Sequence, residues 1–217
     1  MYHSILTGIA QGDGKTHSSF KRAKVDEDVG KKAIEELVER GIIRVAKANN
    51  TFSSWEKNEK VDNKLYFTAP FLRFWFAFVS PLFKGVRDGD FKEVKERFSK
   101  HEQEFIQLTF KELSQTFLQK QFKDDAIVEM GSYWDRGNEF DIYAKTKSGK
   151  TIVGNCRYTK SKTKKSELTR LQNSALNTKI KADIFVLFSL NGYSNELKSL
   201  KSDTLKLYSL KHFKALL

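Results

Sequence analysis

The sequence predicts a mixed α/β protein in two parts. Three observations carry that reading: apolar residues recur at helical spacing through much of the first 122 positions, the spacing changes to strand-like runs from Ile127 onward, and Asp183-Ile184-Phe185-Val186-Leu187-Phe188 has the continuous apolar character of a sheet interior. With 39% hydrophobic and 13% aromatic residues, the 217-residue chain can bury a core, so a disordered chain is excluded.

The elements follow in order. Ile5, Leu6 and Ile9 mark a first helix that stops at Gly12-Asp13-Gly14, and a second runs from about His17 to Lys24. Val29, Ala33, Ile34, Leu37 and Val38 recur at helical spacing up to Gly41, which sits where a C-terminal cap belongs. Ile42 to Val45 and Lys64 to Phe67 have strand composition and flank a polar loop, Asn49 to Asn63, that contains Trp55. Helix, helix, helix, hairpin is the order of a winged-helix module, expected over residues 1–68. Its third helix would enter a major groove, but Glu35, Glu36 and Glu39 beside Lys31 and Lys32 fit a protein-contacting module at least as well. Gly14-Lys15-Thr16 imitates the end of a phosphate loop. The glycine required five places earlier is Ile9, however, so no ATP site is expected in this chain.

Residues 69–90, beginning Ala69-Pro70-Phe71-Leu72-Arg73-Phe74-Trp75-Phe76, predict a buried aromatic helix connecting the two parts. A long helix follows over Phe91 to Phe122, with Phe98, Phe105, Leu108, Leu113, Phe117 and Leu118 as core candidates and Glu104 among them. Strands are then expected at Ile127 to Tyr133, Phe140 to Lys145 and Thr151 to Tyr158, a helix at Ser166 to Lys179, and the apolar strand at Asp183 to Phe188. A short helix near Glu196, a strand at Leu205 to Tyr208 and a C-terminal helix complete an αβββαβ domain over residues 91–217.

Alternation puts Glu139, Asp141 and Tyr143 on one side of the second of these strands, and Asn155 and Arg157 on one side of the third. A loop of Lys147-Ser148-Gly149 would set Asp141 opposite Asn155 and Glu139 opposite Arg157, whereas a two-residue Ser148-Gly149 turn would set Asp141 opposite Cys156. The first register is preferred because it also gathers Phe140, Ile142, Ala144, Gly154 and Cys156 on an apolar face.

Charge narrows the function classes. The chain carries 39 Lys and Arg against 27 Asp and Glu, and between Lys145 and Lys181 eleven Lys and Arg face only Glu167. Such density points to a polyanion partner, each neutralised phosphate releasing a counterion, although a solvated lysine face would read the same. The single Cys156 and four scattered histidines exclude disulfide scaffolds and zinc modules. No apolar run spans a bilayer and no targeting segment is evident, so a cytoplasmic protein without a membrane partner is expected.

The order αβββαβ, with an acid on the second strand and a residue-x-residue pair on the third, resembles the PD-(D/E)xK nuclease fold. The whole chain also resembles the uncharacterised domain that follows the ATPase module in archaeal-type AAA+ ATPases. That resemblance rests on Pro70 to Phe76, Gly131-Ser132-Tyr133-Trp134, Asn138-Glu139-Phe140-Asp141-Ile142, Gly154-Asn155-Cys156-Arg157-Tyr158, and Phe188-Ser189 with Gly192-Tyr193. It implies a metal-binding acid at Asp141 for Mg²⁺ or Mn²⁺, with Glu104 on the preceding helix as an additional acid; Glu139 could supply a further acid if it faces the side of Asp141, or could form an ion pair with Arg157 instead. Where that family commonly has Glu and Lys, this chain has Asn155 and Arg157. A neutral amide oxygen compensates cation dehydration less well than a carboxylate does, and Arg grips phosphate but exchanges protons poorly. The expectation is therefore a nucleic-acid-binding protein with a degenerate nuclease-like site, binding through Lys160, Lys162, Lys164, Lys165 and Arg170. The alternatives are an active metal-dependent endonuclease and a protein-interaction partner left from an ATPase.

Overall fold

The computed structural model describes residues 1–47 and 62–216, which fall into two compact units, one ending at Glu102 and one beginning at Gln103. Trp55 and most of its polar loop lie outside the described residues. In the first unit, α1 (Tyr2–Ala10), α2 (Thr16–Ala23) and α3 (Glu27–Glu39) precede an antiparallel hairpin of β1 (Ile43–Ala46) and β2 (Lys64–Phe67), with Ile43 opposite Phe67. Ile5, Leu6, Ile9, Phe20, Leu37, Ile43 and Leu65 are buried there. The inner stripe of α3 runs through Gly30, Ala33, Ile34 and Leu37. Val29 and Val38, expected inside, each neighbour that stripe by one position, a rotation of about 100°, and are exposed.

The aromatic segment is not one buried helix. It breaks into α4 (Pro70–Phe74), a π-helical turn (Trp75–Val79), a 3-10 turn (Ser80–Leu82) and α5 (Phe83–Arg87), all within the first unit. The π turn rotates the aromatic series off a single face, and Pro81 withholds a backbone donor from the ladder. Ala77 and Phe78 are buried, whereas Phe71 is 67% and Phe83 50% exposed.

A 30-residue helix, α6 (Lys92–Gln121), contains the division between the units. The expected boundaries at 68/69 and 90/91 are thus replaced by one inside a continuous helix. In the first unit its Phe98 packs edge-on to Phe78, with ring centroids 5.2 Å apart.

The second unit is a five-stranded sheet of β3 (Ile127–Trp134), β4 (Glu139–Thr146), β5 (Thr151–Arg157), β6 (Ile184–Ser189) and β7 (Leu205–Ser209), in that spatial order. The first three strands pair antiparallel and the last three parallel, with α7 (Lys165–Asn177) between β5 and β6 and α8 (Asn195–Ser199) between β6 and β7. A parallel step needs such a crossover, and each one covers a sheet face. On one face Phe110, Phe117 and Leu118 of α6, with Phe213 from a terminal 3-10 helix, meet Ile142, Ala144, Ile152, Cys156, Val186 and Phe188. On the other, Leu168, Leu171 and Ala175 of α7 meet Tyr143, Val153 and Leu187. Leu113, a core candidate by sequence, is exposed, because the buried face of α6 runs through Phe110, Ser114, Phe117 and Leu118 and leaves it one position off.

Candidate functional site

The candidate site lies where β4 and β5 part. Their ladder pairs Lys145 with Thr151 through Ile142 with Gly154, the first of the two registers considered above. The loop supports it: Thr146 N donates to Lys150 O at 3.0 Å, and Gly149 has φ +87°, a conformation that costs glycine little. Gly154 is required for a different reason. A Cβ there would stand 2.6 Å from Val186 O, so the close approach of β5 to β6 depends on its absence.

Past Ile142, side chains replace the backbone ladder. Asp141 N donates to Asn155 Oδ1 at 3.3 Å, and Cys156 N donates to Asp141 Oδ2 at 2.9 Å. The amide of Gln107 on α6 serves β5 as a surrogate strand, donating to Cys156 O at 2.8 Å and accepting from Tyr158 N at 3.0 Å. Gln115 and Ser132 donate to Asp141 O at 2.8 and 3.0 Å. Buried backbone groups must be satisfied, and α6 does this where the strands diverge.

The pairing of β3 with β4 shifts between Gly131 and Tyr133, and strict alternation fails there. Glu139, Asp141 and Tyr143 therefore do not share a side as expected. Phe140 and Tyr143 join the core under α7, Phe140 thereby leaving the apolar face predicted for it. Asp141 and Glu139 meet Lys111 of α6, whose Nζ is 3.4 Å from Asp141 Oδ1 and 4.0 Å from Glu139 Oε1. Lys111 is only 7% exposed. The suggested Glu139–Arg157 ion pair does not form. Arg157 faces α7, its Nε donating to Glu167 Oε2 at 2.7 Å, and Glu167 also lies 3.6 Å from Arg170. Glu104 is exposed on α6, seven residues and so about 10 Å along the axis before Lys111.

A divalent cation does not fit this donor set. One oxygen of Asp141 faces an ammonium, the other holds a backbone N–H, and the Asn155 oxygen accepts from the Asp141 amide. Among the described residues no group of three or more His, Cys, Asp and Glu side chains converges to hold a metal. Cys156 supplies no nucleophile either, since burial pushes its thiol well above the ordinary range and the Asp141 carboxylate adds to the effect.

The basic residues divide into two sets. Lys165 lies 3.1 Å from Glu196, and Arg170 shares Glu167. Lys160, Lys162 and Lys164 are exposed and have no carboxylate within ion-pair range among the described residues. Lys162 and Lys164 flank Thr163, which is buried and pinned: its N donates to Gly192 O at 2.9 Å, its O accepts from Ser194 N at 3.0 Å, and its hydroxyl donates to Ser189 Oγ at 2.9 Å. Fixing Thr163 inward turns Lys162 and Lys164 outward, and Lys160 is exposed in the bend that precedes them.

One cavity of the first unit has the opposite charge character. A cavity of about 800 Å³ beside α3 and the hairpin is lined by Glu27, Glu35, Asp62, Lys31 and His17. Three carboxylates against one ammonium make a poor phosphate surface.

Sequence reasoning missed Lys111, Gln107 and Gln115. The signal was present, because 107, 111 and 115 form a polar i, i+4, i+8 stripe beside the apolar one. Glu167 was visible as the lone acid of the basic run.

A family described as archaea bacterial proteins of unknown function, DUF234, has a model that matches residues 75–169. The match includes Asp141, Asn155, Arg157 and the three unpaired lysines. No curated protein and no solved structure matches the chain. No helix among the described residues is long and apolar enough to cross a membrane.

Proposed function

We propose that the second unit binds nucleic acid through its phosphates, using Lys160, Lys162 and Lys164, on a PD-(D/E)xK-like frame whose Asp141 centre no longer cleaves phosphodiesters. The observation that carries this reading is the pinned segment around Thr163, which presents three exposed lysines with no carboxylate beside them. Ordered ammonium groups without internal partners exchange readily for phosphate contacts and release counterions when they do. The loss of cleavage is supported by Asp141, whose two oxygens are committed to Lys111 and the Cys156 amide.

The test is fluorescence anisotropy of a labelled duplex in EDTA between about 50 and 200 mM salt. Affinity is expected to fall steeply with salt, and Lys160→Ala/Lys162→Ala/Lys164→Ala should lower the log–log slope by about 3. Supercoiled plasmid should stay intact in Mg²⁺ and Mn²⁺. Binding that is absent or indifferent to salt would end the reading, and metal-dependent nicking abolished by Asp141→Ala would restore an active endonuclease.

For the first unit, the carboxylates along α3 favour a winged helix that contacts protein rather than a groove-reading one. Isolation of a stable complex with a protein partner, disrupted by Glu27→Lys/Glu35→Lys, would support that assignment. Duplex binding lost in the same variant would overturn it.

A further inference from the structure

We propose that Lys111 is the resident cation of the Asp141 centre, standing where these carboxylates would otherwise hold an exchangeable divalent ion, so that its removal makes the centre cation-binding. This rests on the reading above that the centre no longer cleaves phosphodiesters.

Three features of the geometry carry it. The ammonium approaches two carboxylates of one strand, at 3.4 Å from Asp141 and 4.0 Å from Glu139, from a helix on the same face of the sheet. Lys111 is almost wholly buried, and a lysine in that position keeps its charge only when a carboxylate compensates it. The placement of Asp141 does not depend on Lys111: its second oxygen accepts the Cys156 amide, and its backbone carbonyl is held by Gln115 and Ser132.

Taking the ammonium away therefore leaves a preorganised carboxylate with one oxygen open, a second carboxylate beside it, and the space the ammonium filled. A partly buried carboxylate that loses its counter-charge is stabilised by another cation in the same place. Hard divalent ions with oxygen preference, Mg²⁺ and Mn²⁺, are the class such donors select.

Lys111→Met keeps the volume of the stem and removes the charge, and Lys111→Gln removes the charge but keeps a polar end. Both are to be compared with the wild type by thermal denaturation in EDTA and across a MnCl₂ titration. The wild-type midpoint should not move with Mn²⁺. The variants should melt lower in EDTA and recover saturably, by about 5–10 °C at a hundredfold excess over the dissociation constant. In Lys111→Met/Asp141→Asn the recovery should disappear.

A saturable Mn²⁺ shift in the wild type, folded variants that ignore Mn²⁺, or a shift that persists in the double variant would each overturn the proposal. So would two variants that remain unfolded at every Mn²⁺ concentration. Supercoiled plasmid incubated with the same wild-type samples in Mn²⁺ separates this failure from failure of the reading it rests on, since nicking reports cleavage and the melting shift reports the cation.

Discussion

Gln107→Ala tests the account of the parted strands most directly. The Gln107 amide makes two bonds to β5, at 2.8 Å to Cys156 O and 3.0 Å from Tyr158 N. Leaving a buried backbone donor or acceptor unsatisfied costs about 1–3 kcal/mol each, so the two together are worth about 2–6 kcal/mol. Cys156 is buried but Tyr158 only partly so, and water can replace one partner. The lower half of that range, about 2–3 kcal/mol, is expected, and it corresponds to a fall in Tm of about 4–12 °C for a chain of this size. Gln107→Glu adds a sign to the prediction. At neutral pH its carboxylate still accepts from Tyr158 N but opposes the Cys156 carbonyl, so the folded-state pKa is raised. Its stability deficit should narrow as pH falls toward the ordinary Glu range near about 4.3, where the acid regains a donor. Far-UV circular dichroism melts from pH 7 to 4 would measure both. A Gln107→Ala midpoint within 1 °C of wild type would show that α6 does not substitute for the missing strand contacts.

Glu167→Gln frees Arg157 and Arg170 from their shared carboxylate, and duplex affinity at low salt should rise severalfold in the anisotropy assay; unchanged affinity would place both arginines off the binding face. Asp135 caps the β3–β4 turn. Burial alone would raise its carboxyl, but the Gly137 and Asn138 N–H groups at 2.7 and 2.6 Å and the Tyr133 hydroxyl hold it below the ordinary range. Its contribution is therefore complete above the unfolded value near 3.8 and lost as pH falls through the lower folded value. Asp135→Asn should accordingly cost stability at pH 7 and converge on wild type in strong acid, whereas parallel pH–Tm curves would refute the cap. Gly154→Ala drives a methyl to 2.6 Å from Val186 O and should destabilise by at least about 2 kcal/mol in urea denaturation, an undiminished midpoint meaning that β5 and β6 separate freely.

Most elements were legible because their signals are local. The apolar face that gathers Ile142, Ala144 and Cys156 distinguishes the two hairpin registers, and the apolar run from Ile184 announces an interior strand. The faces of β4 were not legible past Ile142, since period-two reasoning assumes an unbroken ladder and the shift opposite Ser132 breaks it. The partner of Asp141 was equally hidden. Lys111 lies 30 positions away on a helix whose lysines look alike in sequence, and only the packing of Phe110 and Phe117 on the sheet turns this one inward. Among the basic residues, Arg170 could be sorted by its i, i+3 spacing to Glu167, but Lys165 could not be separated from the unpaired three, because its partner Glu196 arrives from α8.

The sheet places its strands in the order in which the chain delivers them. No later strand must wedge between two earlier ones, so a ribosome can lay the unit down edge by edge. The three antiparallel strands close first through short loops, on a helix already synthesised. The growing edge at β5 then waits through the whole of α7 before β6 arrives, with Ile152 and Cys156 facing α6 on one side and Val153 uncovered on the other. Chains halted within that interval would carry an open parallel edge, and the net positive charge of the stretch from Lys160 to Lys181 would oppose the pairing of one such edge with another.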